Sequence, residues 1–192
     1  AAPTGSFARL LVAYKRGVPF VVEHIDSVLE TLGAPGQFGI LQSTLGRTAA
    51  RQIETLYIAG LMKEWVNELI ESVKSGDSEY YRKPENITGA GTGFWEAPRG
   101  ALYHSESVKD GKIEGYQIII PSTWNLAPHA EDGTYGPLEQ ALIGVPVADV
   151  EKPINALRTV HSFDPCTACA VHVTEPATGK HFETVTNPWG VK

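Results

Sequence analysis

Both cysteines of the chain lie in one short segment, "HSFDPCTACAVH", as Cys166-x-x-Cys169 followed by His172. Two thiolates three residues apart can converge on one metal ion or bridge two ions, and sulfur ligands favour soft or borderline transition metals. The motif therefore predicts half of a larger metal centre. Its remaining ligands would have to come from another polypeptide.

Other interpretations of these cysteines stay open on the residues alone. A thioredoxin-like redox pair would place the first cysteine at a helix N-terminus within a βαβ unit, and no such pattern surrounds residues 161–172. A structural zinc site needs four ligands, and His161 or His181 would supply the fourth. The cysteines can also be buried as small apolar side chains.

Composition narrows the class of protein further. The 192 residues are 42% hydrophobic and carry a net charge of −6, which disfavours a nucleic-acid partner. No apolar run approaches the roughly 20 residues that span a bilayer, so we expect no transmembrane segment. The chain is long enough for one structural unit, and residues 1–192 are assigned to one unit that a partner chain completes.

The elements that must position the motif begin with a helical part over residues 1–76. Two short helices are predicted, one ending at Gly17 and one running from Pro19 to Gly33. A long helix follows from Ser43 or Thr44 to Lys74. Its apolar residues recur at helical spacing as one stripe: Leu45, Ala49, Ile53, Leu56, Ala59, Met62, Val66, Leu69 and Val73. Such a helix is roughly 45 Å long, which predicts a long-helix bundle partly covered by a second polypeptide.

Residues 77–160 predict a loop, a hairpin and short helices. The loop covers 77–98, and Asp110-Gly111 between two alternating runs predicts a β-hairpin. Short helices are expected at 137–143 and 153–160, before the metal-binding motif at 161–172 and a C-terminal tail at 173–192. The predicted fold class is thus mainly α with a small antiparallel β element.

Several segments, in their order and spacing, resemble the C-terminal part of the nickel–iron hydrogenase large subunit. The likeness covers nearly the whole chain and implies the C-terminal half of that subunit's fold. The segments are "STLGRTAAR" (43–51), "GTGFWEAPRGALYH" (91–104), "YQIIIPSTWNLAP" (116–128), "GPLEQALIG" (136–144) and "LRTVHSFDPCTACAVHV" (157–173).

The resemblance implies the metal ligands. Cys166 would be a terminal nickel ligand and proton acceptor, and Cys169 would bridge nickel to an iron that carries carbon monoxide and cyanide. His172 and the backbone carbonyl of Ile118 would bind a nearby Mg²⁺. Coordination keeps a thiolate deprotonated yet partly basic, which suits the role given to Cys166.

The same resemblance assigns residues around that centre. Arg99 would lie over the open metal position, where a fixed cation polarises H2, and Asp164 would pair with Arg99 and fix its rotamer. Pro98 and Leu102 would line the pocket of the diatomic ligands, and Ser122 would donate a hydrogen bond to a cyanide. The catalytic residues are therefore expected to be Arg99, Cys166 and Asp164.

The family binds nickel with a second Cys-x-x-Cys pair from the N-terminal half of the subunit, which is absent from this chain. We therefore expect a separate chain that carries this half, as in a split subunit, and a small subunit with iron–sulfur clusters. The reaction would be reversible oxidation of H2 to protons and electrons. The location would be periplasmic or membrane-associated through an exported partner, or else cytoplasmic. The alternatives are a catalytically silent or unmatured scaffold chain and a zinc-stabilised binding module.

The chain departs from the family pattern in three places. Tyr103-His104-Ser105 follows "PRGAL" where the family usually has Gly-His-Trp, and Pro128-His129-Ala130 follows the "TWN" segment where it has Pro-Arg-Asp. His104 and His129 are interpreted as solvated or hydrogen-bonded surface histidines, with a proton relay as the alternative. The third departure is the tail after His172, where the family is usually cleaved once nickel is in place.

Overall fold

A computed structural model of the chain describes residues 2–77, 79–81, 87–165, 170–174 and 181–185. The helices are α1 Ser6–Lys15, α2 Pro19–Thr31, α3 Thr44–Lys74, α4 Pro121–Asn125, α5 Pro137–Leu142 and α6 Ile154–Ser162, with a 3-10 helix at Phe38–Gln42. The strands are β1 Gly89–Ala97, β2 Gly100–Lys109, β3 Lys112–Ile119, β4 Ala170–Thr174 and β5 His181–Val185.

The three helices predicted in the first 76 residues are confirmed. Gly17 follows α1 with a φ of +72°, in the left-handed region that suits glycine at a helix end. Pro19 occupies the first turn of α2, where its missing N–H costs nothing. The hydroxyl of Ser43 accepts a 3.1 Å hydrogen bond from the Gly46 N–H and caps α3.

The core lies where α1 and α2 pack against the first turns of α3. Its central side chains are fully enclosed, Ile25 at 1% exposure and Leu29 at 0%. Burial of aliphatic side chains of this kind contributes roughly 1.5–3 kcal/mol each, which fixes the start of α3 against α1 and α2. The buried cluster consists of Leu10, Val21, Ile25, Leu29, Leu41, Ala50 and Ile53.

The stripe predicted on α3 shares only Ile53 with the face that this chain buries. Gly46, Arg47, Ala50 and Ile53 are the buried residues of the helix, and Leu45 is 80% exposed. Contacts from the two short helices reach Glu54 through Arg9 and Tyr57 through Phe20, and most of α3 beyond these residues lies exposed within the described part of the chain. The covering second polypeptide stays a prediction.

The β element is larger than predicted. The hairpin at Asp110-Gly111 is confirmed, with both residues at positive φ (+50° and +73°) between β2 and β3. The loop predicted over 77–98 is wrong for Gly89–Ala97, which pairs with β2 along its whole length as β1. Glycine-rich "GAGTGFWEA" has weak strand propensity, so the long-range ladder rather than the local sequence makes this strand.

The short elements after β3 agree with those predicted from the sequence, except at two places. Helices α5 and α6 match the expected segments within two residues, but α4 was not predicted. The predicted tail contains β5, which pairs antiparallel with β4 so that His172 lies opposite Glu183. Among the described residues, no helix has the length and apolar character to cross a membrane.

Candidate metal centre

The structure brings Arg99 and Asp164 together from distant parts of the chain. Arg99 lies in the turn between β1 and β2, and Asp164 follows α6, two residues before Cys166. Arg99 Nε is 3.5 Å from Asp164 Oδ1, and both side chains are partly exposed, at 41% and 35%. Asp164 has a φ of +53°, an uncommon backbone conformation outside glycine. The segment that leads into the cysteine motif is thus paired with Arg99.

Two arginines of α3 hold the same segment from its other side. Arg51 Nη2 donates a 2.8 Å hydrogen bond to the Ser162 carbonyl, and Arg51 Nε is 3.9 Å from Asp164 Oδ2. Arg47 Nε donates to Ser162 Oγ at 2.8 Å, and its guanidinium stacks over the ring of Phe163 at 4.1 Å. Burial and the nearby Arg51 lower the pKa of Arg47, yet an arginine stays charged at neutral pH.

These guanidinium groups line a small cleft on the surface. Arg47, Arg51 and Arg99 all border it, and Asp164 is the acidic side chain among the described residues that line it. Arg99 Nε is buried and makes no hydrogen bond within the described part of the chain. The cleft is therefore positively charged, and the site can stabilise negative charge next to the cysteine motif.

The turn that carries Arg99 is anchored to the helices by Arg9 of α1. Arg9 makes a bidentate pair with Glu54 of α3, with Nε–Oε1 at 2.5 Å and Nη2–Oε2 at 2.7 Å. Its Nη1 donates to Glu96 Oε2 at 2.8 Å and to the Ala97 carbonyl at 2.9 Å. Its Nη2 also donates to the Pro98 carbonyl at 2.9 Å. One side chain thus joins α1, α3 and the end of β1.

On the other side of Arg99 the chain is held by Asn125 at the end of α4. Asn125 is 2% exposed; its Nδ2 donates a long, 3.4 Å hydrogen bond to the Arg99 carbonyl. Its Oδ1 accepts from the Thr4 N–H at 2.8 Å. The N-terminal segment approaches so closely that a Cβ on Gly5 would lie 2.7 Å from the Arg99 carbonyl oxygen. Each peptide group that flanks Arg99 therefore accepts a side-chain hydrogen bond, a shorter one from Arg9 and a longer one from Asn125.

Replacing Glu54 by glutamine should lower stability in a pH-dependent way. Burial by itself would raise the pKa of Glu54, but hydrogen bonds from Arg9 and Ser6 outweigh it and leave the pKa below its ordinary value. A lowered carboxyl pKa stabilises the fold above the ordinary value of 4.5, and this stability is lost as the pH falls further. We expect Glu54→Gln to cost roughly 1–3 kcal/mol at pH 7.

Urea unfolding between pH 3 and pH 7 checks this expectation. The stability gap between the wild type and Glu54→Gln should narrow as the pH falls below about 4.5, because the wild-type carboxyl then takes up a proton. Glu30→Gln, at an exposed position of α2, is the matched control. A gap of the same size at pH 3 and pH 7 would show that the ionised Glu54 carboxylate adds nothing to stability.

The other predicted residues lie on neighbouring elements, without a described contact to Arg99. Leu102 is half-buried on β2 opposite Trp95, and Ser122 is half-buried in the first turn of α4. Pro98 is exposed and directly precedes Arg99, while Ile118 lies on β3 opposite His104.

The predicted metal ligands are not brought together by the described residues. Cys166 and Cys169 lie outside these residues, and His172 is described only as part of the β4 backbone. In the part of the chain that the structure describes, no group of three or more His, Cys, Asp or Glu side chains could hold a metal ion. The roles assigned to these ligands therefore stay predictions.

His104 and His129 lie in the two segments that depart from the family pattern, and each has a polar partner. His104 Nδ1 is 2.6 Å from the Tyr116 hydroxyl, and the His129 ring lies 3.5 Å from Glu139 Oε1. His104 is thus hydrogen-bonded and His129 is exposed beside a carboxylate, which agrees with the interpretation as solvated or hydrogen-bonded surface histidines.

Sequence reasoning missed the residues that position the site. Arg47 and Arg51 are spaced four apart within "STLGRTAAR", which places both on one helix face and was a usable signal. Arg9, Glu54 and Asn125 have no such local pattern. Their partners lie far along the chain, so only the folded structure reveals them.

Comparison with known proteins places the chain in a family. A family model described as nickel-dependent hydrogenase matches residues 1–172. The protein therefore belongs to the nickel-dependent hydrogenase family, and the resemblance found in the sequence is confirmed. The match stops at His172, so the last 20 residues lie outside it.

Similar proteins are large subunits of hydrogenases. The chain is 42% identical over 178 residues to the uptake hydrogenase large subunit of Rhizobium leguminosarum bv. viciae, covering 90% of this chain and 30% of the relative. It is 45% identical over 179 residues to the hydrogenase-2 large chain of Escherichia coli (strain K12), covering 89% and 31%. The chain thus spans about a third of the length of such relatives.

Solved structures show the same fold over the described elements. An H2-activated [NiFeSe]-hydrogenase from Dm. baculatum superimposes with a TM-score of 0.66 at 37% identity, covering 86% of this chain and 33% of that one. The reduced Ni-Fe-Se hydrogenase of D. vulgaris Hildenborough gives 0.63 at 32% identity, covering 85% and 34%. The helices and the three-stranded sheet therefore form part of a hydrogenase large-subunit fold.

Proposed function

We propose that this chain is the C-terminal portion of a nickel–iron hydrogenase large subunit and supplies two cysteine ligands to the Ni-Fe centre for reversible H2 oxidation. The observation that carries the proposal is the pair of Arg99 and Asp164, held two residues before Cys166 in a chain of this family. A partly exposed cation beside a thiolate motif is the arrangement that a metal centre with anionic ligands requires.

The proposed metal ligands are two thiolates, an imidazole and a carbonyl. Cys166 and Cys169 would hold nickel, and Cys169 would also bridge to iron. His172 and the Ile118 carbonyl would bind Mg²⁺, a hard cation that prefers oxygen and keeps several waters. The partly open, positively charged cleft fits a centre whose thiolate and cyanide ligands carry negative charge.

When bound, the Ni-Fe centre with carbon monoxide and cyanide on its iron would supply the Lewis acid that splits H2 heterolytically. The Sγ of Cys166 would accept the proton. Arg99 would direct a fixed positive charge and N–H donors toward the reacting molecule, and Asp164 would orient the guanidinium. Pro98 and Leu102 would shield the diatomic ligands from water, and Ser122 would donate to a cyanide nitrogen.

The proposed partners are the rest of the large subunit and an iron–sulfur small subunit. From Leu56 onward, α3 exposes large apolar side chains that a lone chain in water would bury, which supports a long-helix bundle completed by the remaining two thirds of the relatives' length. These exposed side chains are Leu56, Tyr57, Ile58, Met62, Trp65, Val66, Leu69, Ile70 and Val73.

Purification of the tagged chain from its native cells tests the proposal. We expect it to bring along a chain with the second Cys-x-x-Cys pair and an iron–sulfur subunit. The complex should contain nickel and iron in comparable amounts, show infrared bands of carbon monoxide and cyanide, and reduce a dye with H2.

Two results of the same purification would contradict the proposal. One zinc per chain without the infrared bands would instead indicate a zinc-stabilised binding module. A complex without metal and without turnover would indicate a silent or unmatured scaffold.

A further inference from the structure

We propose that Arg9 is a positioning residue for Arg99. In this role, which rests on the proposed function, its guanidinium fixes the peptide group that carries Arg99. Arg9 lies on α1 and contacts the turn from its backbone side. It would therefore act on the reaction only through the placement of Arg99.

The first support is that every N–H of the Arg9 guanidinium has an acceptor. An arginine has five such donors, in a rigid planar fork. Three go to carboxylate oxygens of Glu54 and Glu96, and two go to the carbonyls of Ala97 and Pro98. A simple ion pair would not include the hydrogen bonds to the two carbonyls, so Arg9 also binds the backbone of the turn. We call these contacts of Arg9 with Glu54, Glu96, Ala97 and Pro98 the clamp.

The second support is the rigidity of the clamp itself. The side chain of Arg9 is only 22% exposed and that of Glu54 is 16% exposed. Glu54 Oε2 also accepts a 2.5 Å hydrogen bond from the Ser6 hydroxyl, so two side chains of α1 hold the carboxylate. Charge-assisted hydrogen bonds shielded from water in this way are stronger than neutral ones.

The third support is that the other contacts of Arg99 are long. Its contact to Asp164 is 3.5 Å long, and both partners are partly exposed, so this ion pair alone holds the guanidinium weakly. The long hydrogen bond from Asn125 to the Arg99 carbonyl is also weak. The 2.9 Å hydrogen bond from Arg9 to the Pro98 carbonyl is the firm contact on the peptide that joins Pro98 to Arg99.

Arg9→Lys in the assembled hydrogenase complex tests the clamp. Lysine keeps the positive charge but has at most three donors, so the carbonyl contacts at Ala97 and Pro98 should be lost. We expect deuterium uptake to rise in a peptide that covers residues 95–102. We also expect kcat to fall roughly tenfold or more from a small displacement of Arg99, with the KM for H2 and the nickel and iron content unchanged.

Arg16→Lys, at an exposed position after α1, is the matched control and should change neither uptake nor kcat. Unchanged uptake over residues 95–102 in Arg9→Lys would overturn the proposal, and so would raised uptake with wild-type kcat. If Arg9→Lys fails to assemble, Ser6→Ala removes only the hydroxyl that steadies Glu54. Deuterium uptake over residues 95–102 and kcat of Ser6→Ala then decide, by the same criteria, whether Arg9 positions Arg99.

Different results of this experiment would refute the proposed function and the positioning role of Arg9. A wild-type complex without H2 turnover would refute the hydrogenase activity. The uptake comparison between the two variants would still decide whether Arg9 holds the turn.

Discussion

Replacing Arg99 by lysine is expected to lower kcat for H2 oxidation by roughly 10²–10³-fold, the loss typical of removing one preorganised donor from an active site. Arg9 and Asn125 donate hydrogen bonds to the carbonyls on either side of Arg99, and Asp164 pairs with its guanidinium, so the planar fork has a preferred direction. Lysine would place a flexible, strongly hydrated point charge in the same cleft. The metal ligands are untouched, so nickel and iron content and the infrared bands should stay at wild-type levels.

Steady-state dye reduction with H2 in the assembled complex, alongside metal analysis, measures this effect. Arg158→Lys, at an exposed position of α6, is the matched control and should keep full activity. Full kcat in Arg99→Lys would remove Arg99 from the proposed mechanism. Loss of nickel in this variant would instead assign Arg99 to assembly of the centre.

Replacing Gly100 by alanine is expected to lower the free energy of unfolding by roughly 2–4 kcal/mol, from steric overlap and backbone strain together. Gly100 is buried with a φ of +137°, a conformation that side chains rarely adopt. An added Cβ would clash with the Thr4 hydroxyl and lie 2.8 Å from the Gly5 nitrogen. The N-terminal segment would have to move, and with it the support of Arg99.

Gly17→Ala is the comparison that separates steric overlap from backbone strain. Gly17 also has a positive φ, +72°, but nothing lies within 4 Å of an added Cβ. This variant should show the strain alone, about 1 kcal/mol. Chemical denaturation of both variants, followed by far-UV circular dichroism, makes the comparison. Equal losses at the two glycines would contradict the close packing between Gly100 and the N-terminal segment.

The sequence was informative where structure follows from local patterns. Pro19, Ser43 and Gly17 mark helix ends through the φ of proline, the capping hydroxyl and the left-handed glycine, and the structure uses each of them in that way. The Asp110-Gly111 turn is equally local, because its two positive φ values require these residue types. The family was also readable, since short segments kept their order and spacing.

The same reasoning failed where partners are distant. Strand β1 exists because Gly89–Ala97 finds β2, and its many glycines give no strand pattern of their own. The stripe on α3 shares only Ile53 with the face that this chain buries, because periodicity shows which residues are apolar but not which of them the neighbouring helices cover. In the described part of the chain, α1 and α2 cover only the first turns.

The amino-acid sequence by itself determined every α-helix except α4, the hairpin, the hydrogenase family and the residue types proposed for the chemistry. The resemblance already implied that Asp164 pairs with Arg99, whereas only the tertiary structure decided that Arg9, Glu54 and Asn125 hold the turn that carries Arg99. The physical reason is that local propensities act over a few residues. Hydrogen bonds and ion pairs, in contrast, join groups that folding brings within about 3 Å from anywhere in the chain.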